Sequence, residues 1–387
     1  MPHRATYNLI VLGPSGTGAW PYGILSLLLA AFHWVHPPFV REKSHSFTRS
    51  AQTVFGSLQS SVPTRQSSQS SSANPGDSSS RSINSSTSEP VTNTLPFAAT
   101  NYPRASQTVF EAQLVLARQG ISSGSLDGLF GPQTRSAVRA FQIKAGLPPT
   151  GALDAATKAK LVLLSPSNLA YTVTSNDLAR LQPLSPTWLG KSQQTALEYE
   201  TILELAAEKG QAHPNLIRQW NPATDWTNIT VGTVLQIPDV PLPSKTEKAA
   251  SIIIKLSDKT LEAFDEATNL LAHFPCSIAR RMEKRPVGEL HVAAVAPNPN
   301  YTFDPEVFPE SEEAKQLKTK LVLPPGPNNP VGIVWIGLDR PGYGIHGTPS
   351  PEAVGRTESH GCFRLANWNA EYLLRLVSIG TPVMVEP

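Results

Sequence analysis

Residues 44–105 limit what this chain can fold into more than any other stretch. The segment runs through "RQSSQSSSANPGDSSSRSINSSTSEP" and is dominated by Ser, Thr, Asn and Pro. Such a composition buries too little apolar surface to offset the entropy of ordering the backbone. As a flexible coil of roughly 60 residues it would span about 45 Å on average. It therefore reads as a tether, and folded structure is expected only after it. The chain's 36 prolines fit the same division. A net charge of +2 gives no electrostatic case for nucleic acid. Two cysteines, Cys276 and Cys362, cannot build a disulfide framework.

Before the tether, "YGILSLLLAAFHWV" (22–35) is shorter than the ~20 residues of a comfortable membrane span. It matches the length of a signal-peptide core, with small residues following. Residues 1–43 are thus expected to direct export, as a signal peptide or an uncleaved membrane anchor. "NLIVLGPSGTGAW" (8–20) imitates a phosphate-binding loop, but Ala19 and Trp20 follow Gly18 where nucleotide binding needs Lys-Ser/Thr. Nucleotide binding is excluded on that ground.

Residues 106–165 change character. Val109, Leu114 and Leu116 begin an amphipathic helix ending at Gly120, and "DGLFGPQT" (127–134) makes a glycine-rich turn. Thr134 is placed to cap the next helix, "RSAVRAFQIKAG", and Asp154 a third. A small three-helix module follows. This stretch resembles the peptidoglycan-binding domain type 1 family, which implies attachment to the cell wall rather than catalysis.

Residues 171–240 read as strand, two short helices and strand: "YTVTSNDL", "ETILELAAEKG", "HPNLIRQWNP" and "VGTVLQIPDV". That α+β order, with "LIRQWNP" and "GTVLQIP", resembles a lysin motif, which implies contact with glycan. Residues 179–199 are inserted relative to that pattern.

From 250 to 387 the chain is mainly β. "SIIIKL", "TLEAF", "LHVAAV", "GIVWIGL" and "TPVMVE" are strand candidates. One helix, "NAEYLLRLVSIG", has Asn369 as its expected cap and Gly380 as its terminator. A mixed β-sandwich or open barrel with one C-terminal helix is expected, on a multidomain chain. Cys276, in "HFPCSIA", is read as a buried small hydrophobe. The run 309–320, "PESEEAKQLKTK", is read as a solvated helix or loop, with a lid as the alternative.

The chemistry gathers in "IHGTPSPEAVGRTESHGCFRL" (345–365). A free thiol has a pKa near 8.5, and the thiolate is the nucleophile. An adjacent imidazole can take the proton. His360 lies two residues from Cys362, and His346 sits on a separate strand end. Gly361 and the backbone N–H groups of "HGC" could form an oxyanion hole. Arg364 could hold a carboxylate. A zinc site built from His346, His360, Cys362 and His291 lacks the spacing of known zinc pairs, so no metal or other cofactor is expected.

"IHGT" followed by "SHGCFRL" resembles the signature of the L,D-transpeptidase catalytic domain. "LPPGPNNPVGIVWIGL" (323–338) is similar to the segment preceding it. Phe363 departs from the usual Ile or Val, and Arg285-Pro286 from a Thr-Pro turn. The resemblance implies Cys362 as nucleophile and His346 as base, oriented by the Gly347 carbonyl. Ser359, His360, Gly361 and Arg364 then complete the pocket. It implies an acyl-enzyme formed with peptidoglycan stem tetrapeptides, release of D-Ala and crosslinking in the periplasm or cell envelope. The partners implied are stem peptides and glycan. The alternatives are an L,D-carboxypeptidase that trims tetrapeptides and an inactive wall-binding scaffold.

Overall fold

The computed structural model describes residues 101–244, 247–308, 311–357 and 361–387. The expectations for residues 1–43 and most of the tether lie outside the described residues. The short strand β1 (Arg104–Ala105) leads into α1 (Val109–Arg118). Thr108 and Glu111 form a capping box, each side chain accepting the other's backbone N–H. Gly120, at φ +78°, then turns the chain. Helix α2 (Pro132–Lys144) starts two residues before Thr134, because Pro132 supplies a preset φ at its first position. Thr134 is therefore not the cap. It is buried, accepts from Gln113 Nε2 (3.0 Å) and donates to the Leu129 carbonyl (3.1 Å). Asp154 does cap α3 (Ala155–Lys160), accepting from Thr157 N at 2.8 Å. Strand β2 (Val162–Leu163) pairs with β1 and closes this module.

The next segment runs β3 (Asn168–Thr172), α4 (Ser175–Ala179), α5 (Trp188–Ser192), α6 (Ile202–Lys209), α7 (Pro214–Trp220) and β4 (Val234–Pro238). β3 and β4 pair antiparallel. "YTVTSNDL" is a strand only to Thr172. Thr174 and Asp177 make a second capping box and start α4 instead. The inserted residues supply α5. Leu114, Leu116, Leu126, Ile202, Ile217 and Leu235 share one buried core, so these two segments fold together.

The mainly β part contains β5 (Ser251–Lys255), β6 (Thr260–Phe264), β7 (Leu270–Pro275), β8 (Gly288–Pro297), β9 (Tyr301–Phe303), α8 (Glu312–Gln316), β10 (Leu321–Leu323), β11 (Val334–Leu338), β12 (Gly344–His346), β13 (Phe363–Arg364), α9 (Asn367–Leu376) and β14 (Pro382–Glu386). Eight strands form one sheet in the order β13-β12-β11-β8-β14-β5-β6-β7. Only β12–β13 and β14–β5 are parallel. Just beyond β7, Ser277 exchanges backbone hydrogen bonds with Arg364 of β13 at 2.9 and 3.0 Å. The two edges of the sheet thus meet. The result is a barrel joined by one bridge rather than two packed sheets. Tyr372, Leu373 and Leu376 of α9 fill it against Ile252, Phe274 and Ile336.

Two expectations about α9 fail. Ala366 precedes the helix without a side-chain cap, and Asn369 lies inside it, donating to Ser122 Oγ at 3.1 Å. The helix ends at Leu376, before Gly380, with Val377 extended, and the Lys248 ammonium donates to the terminal carbonyls of Arg375 and Val377. The charged run 309–320 is not wholly solvated either. Glu313 accepts the backbone N–H groups of Trp188 and Leu189 at the start of α5, both at 2.9 Å.

Glu262 of β6 carries a pH dependence. Burial alone would raise its carboxyl, but His273 (3.0 Å) and Lys255 (2.7 Å) outweigh that and hold it at about 2. A folded value below the unfolded one gives stability that is complete above the ordinary carboxyl range. It is lost as pH falls from there toward 2. Thermal melts between pH 6 and 2 are expected to show this loss, with a shallower acid limb in Glu262→Gln. An unchanged limb would remove Glu262 from the account.

Candidate active site

Strands β12 and β13 run parallel, with Ile345 beside Phe363 and His346 beside Arg364. Ile345 and Phe363 turn into the core. Alternation then places Gly344, His346, Cys362 and Arg364 on the other face. The His346 ring stacks on Trp335 of β11, centroids 5.7 Å apart. Residue 344 must be glycine here, since a Cβ would fall 2.6 Å from the Trp335 ring.

His346 is buried, and its Nδ1 lies 2.6 Å from the Gly347 carbonyl. In the neutral ring Nδ1–H donates to that oxygen, leaving the Nε2 lone pair available. Asn367 fixes the backbone that follows. Its Oδ1 accepts the N–H of Thr348 (3.0 Å) and of Ile333 (3.4 Å), while Nδ2 donates to the Pro327 carbonyl (3.2 Å). A Cβ at Gly332 or Gly347 would overlap Asn367 Oδ1, at 2.0 and 2.2 Å. Both glycines are thus required by this amide.

Cys362 is half-buried and its thiol donates to the Gly342 carbonyl at 3.5 Å. Burial pushes the thiol up to about 11, opposed by a Gly344 backbone hydrogen bond and the Arg364 charge. Burial pushes the His346 imidazole down to about 4, with the Gly347 hydrogen bond opposing and the Arg364 charge adding to the fall. At neutral pH both groups are therefore uncharged. Cys362 alkylation by iodoacetamide is expected to be slow at pH 7 and still rising beyond pH 9. A plateau near pH 6 would show a preformed thiolate–imidazolium pair instead.

Among the residues singled out from the sequence, Cys362, His346, Gly347 and Arg364 come together on adjoining strands. Gly361 is half-buried beside them, and a Cβ there would meet only the Tyr343 ring, at 3.9 Å. Ser359 and His360 lie outside the described residues. Burial lowers the pKa of Arg364, while Cys362 and Tyr301 of β9 pull it back up. Cys276 is fully buried, and burial pushes its thiol up. Among the described residues no three His, Cys, Asp or Glu side chains are grouped to hold a metal. Sequence reading missed Trp335, Tyr301, Ser277 and Asn367. "GYGIHG" held the one signal for Trp335, a glycine spaced to admit a bulky neighbour.

The family model described as "L,D-transpeptidase catalytic domain" matches residues 249–385. That described as "Putative peptidoglycan binding domain" matches residues 105–161. The chain is 26% identical over 188 residues to the "Putative L,D-transpeptidase YkuD" of Bacillus licheniformis, covering 49% of this chain and 94% of that one. It is 30% identical over 183 residues to the "Probable L,D-transpeptidase YbiS" of Escherichia coli K12, covering 47% of this chain and 58% of that one. Among solved structures, the L,D-transpeptidase of Xylanimonas cellulosilytica is 17% identical, with a TM-score of 0.30 and coverage of 74% and 98%, a likeness too low to bear on the fold. Residues 249–385 of this chain thus match the family model of the L,D-transpeptidase catalytic domain, and residues 105–161 that of a peptidoglycan binding domain.

Proposed function

We propose that the chain is an exported L,D-transpeptidase acting on peptidoglycan stem tetrapeptides, with Cys362 as nucleophile and His346 as base. The observation that carries this is the buried imidazole, pinned through Nδ1 to the Gly347 carbonyl on the strand beside the cysteine. Nε2 of His346 takes the Cys362 proton as sulfur attacks the carbonyl of the bond between the L-centre of the third residue and D-Ala. The imidazolium returns that proton to the departing D-Ala amine, leaving a thioester. An acceptor amine from a second stem then attacks, His346 takes its proton, and the thiol is restored as the crosslink forms. The N–H groups beside Gly361 receive the developing oxyanion. Arg364 holds a substrate carboxylate, and Ser359 and His360 complete the pocket. The modules at 106–165 and 171–240 hold the enzyme on the wall.

Full-length protein incubated with disaccharide-tetrapeptide tests this by intact mass. The expected adduct is enzyme plus substrate minus one D-Ala, lost in Cys362→Ala. Crosslinked dimers among the products support transpeptidation, and tripeptide alone would make it a carboxypeptidase. Binding to sacculi with no adduct and no turnover would leave only a scaffold.

A further inference from the structure

A cavity of about 170 Å³ lies where α2 meets the turn between β5 and β6. Pro132, Ser136, Ser257, Asp258, Lys259 and Pro275 line it. Drug-sized ligand pockets begin at about 300 Å³, so this one suits a single ring. Its walls combine two proline faces with hydroxyls and one charge of each sign. That mixture matches neither a lone anion nor an apolar group. It suits an uncharged ring with C–H faces and equatorial hydroxyl or amide groups.

One wall is anchored from within. Ser136 Oγ lies 3.4 Å from His273 Nε2, and His273 Nδ1 lies 3.0 Å from Glu262 Oε1. His273 and Glu262 are both buried, so the place of the Ser136 hydroxyl on the cavity wall is set by the fold.

The cavity also touches the loop that follows His346. Gln133 and Gly355 both line it. Gln133 Nε2 donates to the Val354 carbonyl at 2.7 Å, and Gly355 N donates to Ser277 Oγ at 2.8 Å. A Cβ at Gly355 would lie 2.6 Å from Gln133 Nε2, so α2 and this loop are in direct contact. Ser277 also exchanges both backbone hydrogen bonds with Arg364, two residues from Cys362.

We propose that this cavity is a binding subsite for one neutral sugar ring of a glycan strand, and that its occupancy is transmitted through Gln133, Gly355 and Ser277 to Arg364 beside Cys362. The coupling rests on the function proposed above; the subsite itself does not. A ring in the cavity packs against Gln133 and Gly355 and restrains the Gly355–Ser277–Arg364 contacts. Glycan therefore raises the turnover of a stem peptide to which it is not attached.

Calorimetry with full-length protein and chitotetraose tests the subsite, and D-Ala release from a sugar-free tetrapeptide tests the coupling. Two variants fill the cavity from opposite walls: Ser136→Leu from α2, and Ser257→Trp from the exposed turn, which leaves the His273 network untouched. Wild type is expected to bind chitotetraose, with affinity falling at least tenfold in both variants. Added chitotetraose should raise wild-type D-Ala release at least threefold, and neither variant's. Equal binding by Ser257→Trp and wild type, or no binding by wild type, overturns the subsite whatever the turnover. Cavity-dependent binding with an unchanged rate overturns the coupling. Cavity-dependent binding with no D-Ala release under any condition counts against the transpeptidase reading and leaves the subsite standing.

Discussion

Cys362→Ala is expected to release D-Ala from a tetrapeptide donor at the uncatalysed background, a loss on the order of 10⁴ or more. Cys276→Ala should keep its rate, because that sulfur is sealed in the barrel core and burial drives its thiol up. His346→Ala is expected to lose about 10²–10⁴, the range for removing a general base. The shape of its pH profile says more than its size. In the wild type the imidazole is held down to about 4 and the thiol up to about 11. The neutral pair persists between those limits, so the rate should be nearly flat across neutral pH. Without His346 only the minor thiolate fraction reacts, and the residual rate should climb about tenfold per pH unit toward pH 11. A His346→Ala variant with a flat profile would mean another group takes the proton. Loss of activity in Cys276→Ala with Cys362 intact would move the nucleophile elsewhere.

The strands "SIIIK", "TLEAF" and "VWIGL" were legible because runs of β-branched, aromatic and other apolar residues survive in the barrel wall. β12 was legible only as a strand end at His346, and β13 was not, being three and two residues long and bordered by glycine. No periodicity develops over such lengths, yet these strands carry His346 and Arg364. Capping residues misled in two places. Thr134 and Asn369 are of the types that start helices, but each is committed to a buried hydrogen bond between distant segments. Local pattern cannot separate those uses, since both satisfy a polar group. The Cys362, His346 and Arg364 set was legible because it lies within one short stretch. Trp335 reaches it through the pairing of β11 with β12, Ser277 through the closure of the barrel, and Tyr301 from the separate β9–β10 pair, and no window of sequence contains these contacts.

Asn367→Leu should cost stability and activity together, through one amide. The side chain is fully buried at the start of α9. It satisfies the N–H groups of Ile333 and Thr348 and the Pro327 carbonyl. The Glu208 side chain hydrogen-bonds to it as well. Leucine has nearly the same size but leaves these groups unpaired, at about 1–3 kcal/mol each. A total on the order of 3 kcal/mol or more would lower the melting temperature by several degrees. Asn329 supplies the comparison. It is equally buried and holds Val331 N and the Pro324 carbonyl, and its side-chain hydrogen bonds go to neither Gly347 nor Thr348. Asn329→Leu should therefore lose comparable stability with little change in kcat. In Asn367→Leu the backbone after His346 is released, so the Gly347 carbonyl no longer fixes the imidazole. Its kcat should fall at least tenfold while KM changes little, since the amide acts on the base and not on substrate. Equal kcat in the two variants at a temperature where both are folded would show that Asn367 serves the fold alone.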